Sequence, residues 1–353
     1  MHFIRASALV FMLVLTPSLL AFKFSNPFLF NRVNRNIYGT LVDYTNNSKM
    51  DNRIWSESLC QKRDLYVYLP PNYDSSKSYP LLIWLHGFSQ DENVFLDYVV
   101  KPFDRAMASG KLPPMIIAVP DGNLHKDFKL IPRGSFFINS NAGNYEDFLI
   151  KDVVGFITKN YIIRPEREAH SIGGTSMGGA GAYSLGIKHN KFFKNIIGIY
   201  PPLNTRYMDQ RGSYMGNFNL NFTDFRTDFS NGHMTVGKFL GFFLVKAKII
   251  QSDLFNIKDP DVAKEFSAVN PIEMLDYYHI ENGMLNFYLA YGKNDQFNLD
   301  AHAESFLHYT KKKNIYVEVD YNPQGRHDNK TALKFLPKII DWLSIQHQVL
   351  EPK

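Results

Sequence analysis

Short, nearly continuous apolar runs recur along the chain and are separated by longer stretches with helical spacing. Leu65-Tyr66-Val67-Tyr68-Leu69 is stopped by Pro70-Pro71, Leu81-Leu82-Ile83-Trp84-Leu85 ends at His86-Gly87, and Met115-Ile116-Ile117-Ala118-Val119 is a third such run. Runs of this length with no polar alternation predict strands buried on both faces. Between Tyr145 and Tyr161 the apolar residues Phe148, Val153, Phe156 and Ile157 form a stripe, which predicts a helix leading into a strand that reaches Gly173. Ile196–Tyr200 predicts another strand, and the next clear one, Leu285–Tyr291, comes about 85 residues later, far beyond an ordinary connection. A helix from about Leu299, a strand Ile315–Val319 and a helix Lys330–Ile345 complete the alternation. The expected fold class is α/β: a mostly parallel central sheet covered by helices on both faces, with an insertion at about 201–280.

Within that insertion, Val236, Phe239, Leu240, Phe243, Leu244, Ala247 and Ile250 recur at helical spacing, with Phe242 and Val245 on the opposite face beside Lys238. The expectation is a helical cap, apolar nearly all round, whose second face needs cover.

Composition narrows the picture. The 353 residues hold 39 basic and 34 acidic side chains without a long single-sign run, so a nucleic-acid-binding stripe is not expected. Arg5, the apolar run Ala6–Leu15, Thr16-Pro17-Ser18 and Ala21 have the parts of an export signal over residues 1–21. The apolar run is shorter than the ~20 residues of a spanning helix, so a secreted or periplasmic protein without obligatory membrane association is expected. Residues 22–50 read as an N-terminal extension ending in the polar stretch Asn46-Asn47-Ser48, and 51–350 as the α/β domain with the cap-like insertion at about 201–280. The single cysteine, Cys60, allows no intrachain disulfide and reads as a small strand-end residue. There is no H-E-x-x-H, Cys pair or clustered ligand set, so neither metal nor cofactor is expected.

The sharpest local signal is Gly173-Gly174-Thr175-Ser176-Met177-Gly178-Gly179, a G-x-S-x-G pattern at a predicted strand-to-helix junction. A serine on so tight a turn needs small neighbours two before and two after, here Gly174 and Gly178, which makes Ser176 the candidate nucleophile. A weak hydroxyl nucleophile needs a base on the same sheet edge. Of the eleven histidines, His327 lies between the last strand and last helix, where that loop is expected. His170, His302, His308 and His347 fall in or beside regular elements and read as packing or surface residues, and His86 as structural. Asp295, in Gly292-Lys293-Asn294-Asp295 after a strand, is placed to orient the imidazole, whereas its rival Asp300 sits where an aspartate serves a helix start. The order Ser, Asp, His is that of α/β-hydrolases. The backbone N–H groups of Met177 and of Phe88, beyond Gly87, are the candidate oxyanion donors.

These residues resemble the esterase D-like family of α/β-hydrolases, which includes S-formylglutathione hydrolases, feruloyl and acetyl esterases and mycolyltransferases. The likeness runs from about Trp55 to Leu343 through Val67-Tyr68-Leu69-Pro70-Pro71-Asn72-Tyr73-Asp74, Leu85-His86-Gly87, Ser135-Phe136-Phe137-Ile138-Asn139-Ser140, Gly174–Gly179, Asn270-Pro271 and Gly325-Arg326-His327. It implies a serine esterase acting through an acyl-enzyme on a small-molecule or glycan-linked ester, with the same triad and oxyanion donors. An acyltransferase using that triad, and a non-enzymatic binding protein on the fold, are the alternatives. Ser89 departs from the further glycine of many members, and the insertion is large. Phe239, Phe242 and Phe243 are expected to line the substrate pocket from the cap.

Overall fold

The computed structural model describes residues 27–47, 50–124, 133–239, 243–348 and 350. The export-signal segment 1–21 lies outside them.

Eight strands form the central sheet: β1 (Thr40–Tyr44), β2 (Leu65–Leu69), β3 (Leu81–Leu85), β4 (Ile116–Pro120), β5 (His170–Thr175), β6 (Asn195–Ile199), β7 (Asn286–Gly292) and β8 (Val317–Asn322). Their spatial order is β1-β2-β4-β3-β5-β6-β7-β8. β1 and β2 run antiparallel to their neighbours, and the pairs from β4 through β8 are parallel. Because side chains alternate across a strand, each apolar run feeds two cores. Leu81, Ile83 and Leu85 join Tyr183, Phe148, Ile157 and Phe306 on one face. Leu82 and Trp84 join Phe103, Phe335, Ile339 and Trp342 on the other. Helices Met177–Lys188 and Leu299–Lys312 cover the first face, and Val100–Ala108 and Asn329–His347 the second. Each fully buried leucine or isoleucine adds roughly 1.5–3 kcal/mol through this double burial.

The structure corrects the sequence reading at three places. The extension expected over 22–50 is not merely an extension: it contains a helix, Pro27–Asn34, and supplies edge strand β1, paired with β2 from Thr40↔Leu69 to Tyr44↔Leu65. Thr-Leu-Val-Asp-Tyr is short and broken by Asp43, so it shows no long apolar run, although Leu41 packs in one core and Val42 and Tyr44 against the other. Cys60 lies in the exposed turn of a small hairpin, Ile54–Ser56 with Gln61–Arg63, at φ 50°.

The third correction concerns the cap. Where a helix with Phe239, Phe242 and Phe243 was expected, Thr235–Phe239 and Phe243–Lys246 are antiparallel strands, with Phe239 opposite Phe243, and only Ala247–Gln251 is helical. Phe242 lies outside the described residues. The segment is rich in β-branched and aromatic residues and carries Gly237 and Gly241, which disfavour a helix. Apolar residues on every side fit a hairpin as well as an all-round apolar helix, so periodicity could not separate the two. Short helices Val262–Ala268 and Pro271–Tyr277 complete the insertion, whose core joins Phe229, Leu254, Phe255 and Phe266 to Ile138 and Ala142.

Candidate active site

β5 delivers Ser176 onto a turn with φ 55° and ψ −116°, a conformation that costs a non-glycine residue roughly 1–3 kcal/mol and persists only under tight enclosure. The enclosure is backbone. A Cβ on Gly174 would lie 2.5 Å from the Leu85 carbonyl oxygen, and one on Gly178 only 2.2 Å from it. Ser176 N–H donates to the Ile199 carbonyl at 2.8 Å, tying the turn to β6. Helix Met177–Lys188 starts at the next residue, so its N-terminal dipole lies beneath Oγ.

The two loops that bring the other polar groups are joined to each other. Gly292 and Gly325 approach so closely that a Cβ on the first would meet the Gly325 carbonyl carbon at 2.5 Å. Asn294 N–H donates to the Gly325 carbonyl at 2.8 Å. This abutment brings Asp295 Oδ2 to 2.8 Å from His327 Nδ1, and His327 Nε2 lies 3.0 Å from Ser176 Oγ. The Asp295 side chain is fully buried and that of His327 is 14% exposed. Phe297 N–H donates to Asp295 Oδ1 at 2.8 Å, which fixes the carboxylate plane. With Nδ1 bearing the proton toward Asp295, Nε2 is the acceptor that faces the serine hydroxyl.

Phe88 and Met177 lie side by side: a Cβ on Gly134 would touch Met177 Sδ at 2.0 Å and Phe88 Cδ2 at 3.3 Å. Among the described residues neither of their N–H groups has a hydrogen-bond partner. His86 accepts from Gly122 N–H at 2.8 Å and its Nδ1 lies 2.9 Å from the Gly87 carbonyl, so this buried imidazole holds the turn that presents Phe88. Asp300 instead pairs with Lys293 at 3.0 Å. His302 is wholly buried and its imidazole is pushed down to about 3.

Three neighbours of Ser176, His327 and Asp295 carried no sequence motif. Gln296 accepts the His327 backbone N–H through Oε1 at 2.8 Å. The Tyr200 and Phe297 rings lie 4.3 Å and 4.8 Å from the imidazole. Tyr200, at φ 37°, is marked only by its place between a strand end and Pro201-Pro202. The hairpin reaches the same loop: Lys238 N–H donates to the Gln296 carbonyl at 2.8 Å, and Gly237 faces the Phe297 ring.

Asp64, Glu92 and Asp121 have ligand atoms within 4.8 Å of one another, all buried. The Arg63 guanidinium lies 3.3 Å from Asp121, and His86 lies 3.5 Å from it, linking this group to the Phe88 turn.

Comparison with known proteins agrees with this architecture. The family model described as "Putative esterase" matches residues 56–332. An endo-1,4-beta-xylanase/feruloyl esterase of Xylanibacter ruminicola is 28% identical over 149 residues, 39% of this chain and 19% of that protein. An esterase of Mycobacterium tuberculosis is 28% identical over 176 residues, 47% of this chain and 35% of that protein. The chain therefore spans well under half the length of these relatives. A solved ferulic acid esterase superposes with a TM-score of 0.60 at 20% identity, covering 88% of this chain and all 100% of its own. The fluorophosphonate-binding serine hydrolase F of Staphylococcus aureus does so at 0.59 and 18%, covering 87% and 98%. Because the family model matches residues 56–332, most of the chain, the chain belongs to this esterase family, and its fold is that of the α/β-hydrolases.

Proposed function

We propose that the protein is a serine hydrolase of carboxylic esters with Ser176 as nucleophile, His327 as base and Asp295 as the residue that orients it. One observation carries the reading: an unbroken relay of 2.8 Å and 3.0 Å from a buried carboxylate to a serine on a strained turn above a helix N-terminus. His327 Nε2 takes the hydroxyl proton as Oγ attacks the ester carbonyl, and the Phe88 and Met177 N–H groups hold the oxyanion. Protonation by His327 expels the alcohol. Water, deprotonated by the same nitrogen, then releases the acid and frees Ser176. Every proton in this cycle moves through one imidazole.

The substrate is a small-molecule or glycan-linked ester, and esters of ferulic acid are the first to test, because proteins similar to this one bear that name. Residues 1–21 are read as a cleaved export signal, which puts the mature protein in the periplasm or outside the cell; N-terminal sequencing of exported protein checks this.

Ser176→Ala is expected to lower kcat/KM by about 10⁴-fold or more with an unchanged circular dichroism spectrum, and to abolish labelling by a fluorophosphonate probe. Near-wild-type hydrolysis by the folded variant would overturn the assignment. Adding an alcohol acceptor and analysing products separates hydrolysis from acyl transfer.

A further inference from the structure

The insertion carries a buried cation to which no carboxylate is hydrogen-bonded among the described residues. Arg226 is 6% exposed, in an extended stretch held by reciprocal contacts with Arg206: Arg226 N–H donates to the Arg206 carbonyl at 2.8 Å, and Arg206 Nε to the Arg226 carbonyl at 2.9 Å. Arg206 has a carboxylate partner, Glu273 at 2.7 Å. Arg226 has none among the described residues. Its Nε donates to the Asp228 carbonyl, its guanidinium lies 4.4 Å over the Phe229 ring, and Nη1 is buried without a hydrogen-bond partner. The Asp228 carboxylate is engaged instead with Ser230, whose N–H reaches it at 2.8 Å. A buried guanidinium is costly unless its fork is matched by an acceptor, and burial here pulls the Arg226 pKa below its ordinary value.

Two sets of contacts connect its surroundings to the candidate active site. The first runs through Phe229, which packs in the cluster flanked by Phe136, whose ring lies 6.3 Å from that of Phe88, the candidate oxyanion donor. The second runs through Tyr214, which is held to the acid loop by Asn298, whose Nδ2 donates to the Tyr214 and Gly216 carbonyls at 2.7 Å and 3.0 Å. The Tyr214 hydroxyl feels both Asp295, which opposes its ionisation, and Arg226, which favours it. Among the described residues that hydroxyl has no hydrogen-bond partner either.

We propose that Arg226, with the Tyr214 hydroxyl beside it, is a carboxylate-binding subsite on the insertion wall of the cleft, so that the preferred ester carries a carboxylate in addition to the scissile group. The planar guanidinium fork suits that anion, and a charge-assisted pair formed out of water is stronger than a neutral contact. This rests on Ser176 being the nucleophile of the same cleft.

The test uses matched pairs: p-nitrophenyl hemiglutarate against p-nitrophenyl valerate for the acyl side, and 4-acetoxybenzoate against 4-acetoxybenzamide for the alcohol side. In one pair the wild type should favour the anionic ester by at least about tenfold in kcat/KM. Arg226→Gln should collapse that ratio to about one, and Arg226→Lys, which keeps charge but loses the fork, should leave it in between. A neutral preference in both pairs, or a ratio that Arg226→Gln leaves unchanged, would overturn the subsite. If Arg226→Gln does not fold, competition on the wild type decides: inhibition by glutarate but not glutaramide supports the subsite, and equal or no inhibition overturns it. Fluorophosphonate labelling of the wild type reports on Ser176 separately, so loss of the parent reading and loss of the subsite are distinguishable.

Discussion

The serine turn and the insertion both reach the Asp295 loop, the first through His327 and the second through Lys238 and Tyr214, yet they are held in different ways. At the turn the constraint is backbone against backbone: the Leu85 carbonyl oxygen sits 2.5 Å and 2.2 Å from where Cβ atoms on Gly174 and Gly178 would be. In the insertion, beside its small apolar core around Phe229 and Phe266, the attachments are single polar contacts across long sequence separations, Asn298 to Tyr214 and Gly216, Lys238 to Gln296, and Arg206 to Glu273. The Leu85 carbonyl ends a central strand paired with β5 and cannot move aside without disturbing that ladder, whereas a lost single contact loosens one attachment. The first kind of constraint dictates residue identity, and the second leaves it free to vary.

That contrast predicts a large asymmetry between two glycine substitutions. Gly178→Ala should abolish both ester hydrolysis and fluorophosphonate labelling of Ser176, with a stability loss above about 3 kcal/mol, because no rotamer relieves a backbone clash. Gly212→Ala, in the insertion at φ +75° with nothing within 4 Å of the added Cβ, should cost only about 1 kcal/mol of strain. Chemical denaturation and labelling of both variants measure this. Comparable losses at the two positions would erase the distinction.

Acid should weaken both regions through buried histidines. His347 on the last helix lies 2.9 Å from Ser171 Oγ at the start of β5, and burial, then the neighbouring His170 charge, push it down to about 4. His302 lies under Tyr207 and Tyr214, 5.5 Å and 5.0 Å ring to ring, where burial pushes it down to about 3. Both folded-state values fall below the ordinary 6.5, so the unfolded chain binds protons first. The stabilisation is complete above about pH 6.5 and is lost as pH falls toward 4, by about 1.4 kcal/mol per unit and about 3 kcal/mol in all for His347. Melting temperature against pH should therefore decline steeply from 6.5 to 4, and His347→Gln should flatten that decline. An unchanged slope in the variant would place the acid sensitivity elsewhere.

The same contrast explains what the sequence disclosed. Ser176, Gly174 and Gly178 were legible because a strained turn admits few residue types, and His327 because the last strand-to-helix loop must reach the serine edge. The strands of the sheet interior were legible from apolar runs fed into two cores. β1 was not, since a five-residue edge strand interrupted by Asp43 resembles a linker. The 235–246 hairpin was read as a helix because apolar residues on every side satisfy both periods. Tyr200, Gln296 and Arg226 owe their positions to contacts with segments 31 or more residues distant in the cases of Gln296 with His327, and to loop packing otherwise, which no local pattern encodes.

Gln296 stands where the two kinds of constraint meet, and it gives the smallest and most discriminating prediction. Its side chain accepts the His327 backbone N–H at 2.8 Å, while its own carbonyl accepts the Lys238 N–H of the hairpin at 2.8 Å. Gln296→Ala removes the first contact and keeps the second. Leaving a part-buried N–H unpaired costs roughly 1–3 kcal/mol, and if part of that falls on the imidazole's alignment kcat should drop by about tenfold with KM little changed. Lys238→Pro does the reverse: it deletes the hairpin donor without touching His327, so KM and ester preference should shift while a small fluorophosphonate still labels Ser176 at the wild-type rate. Steady-state kinetics on a short and a bulky ester read out both variants. If Gln296→Ala and Lys238→Pro changed kcat and KM in the same proportion, the hairpin would be part of the catalytic scaffold rather than a wall attached to it, and the division between the two regions would fail at this residue.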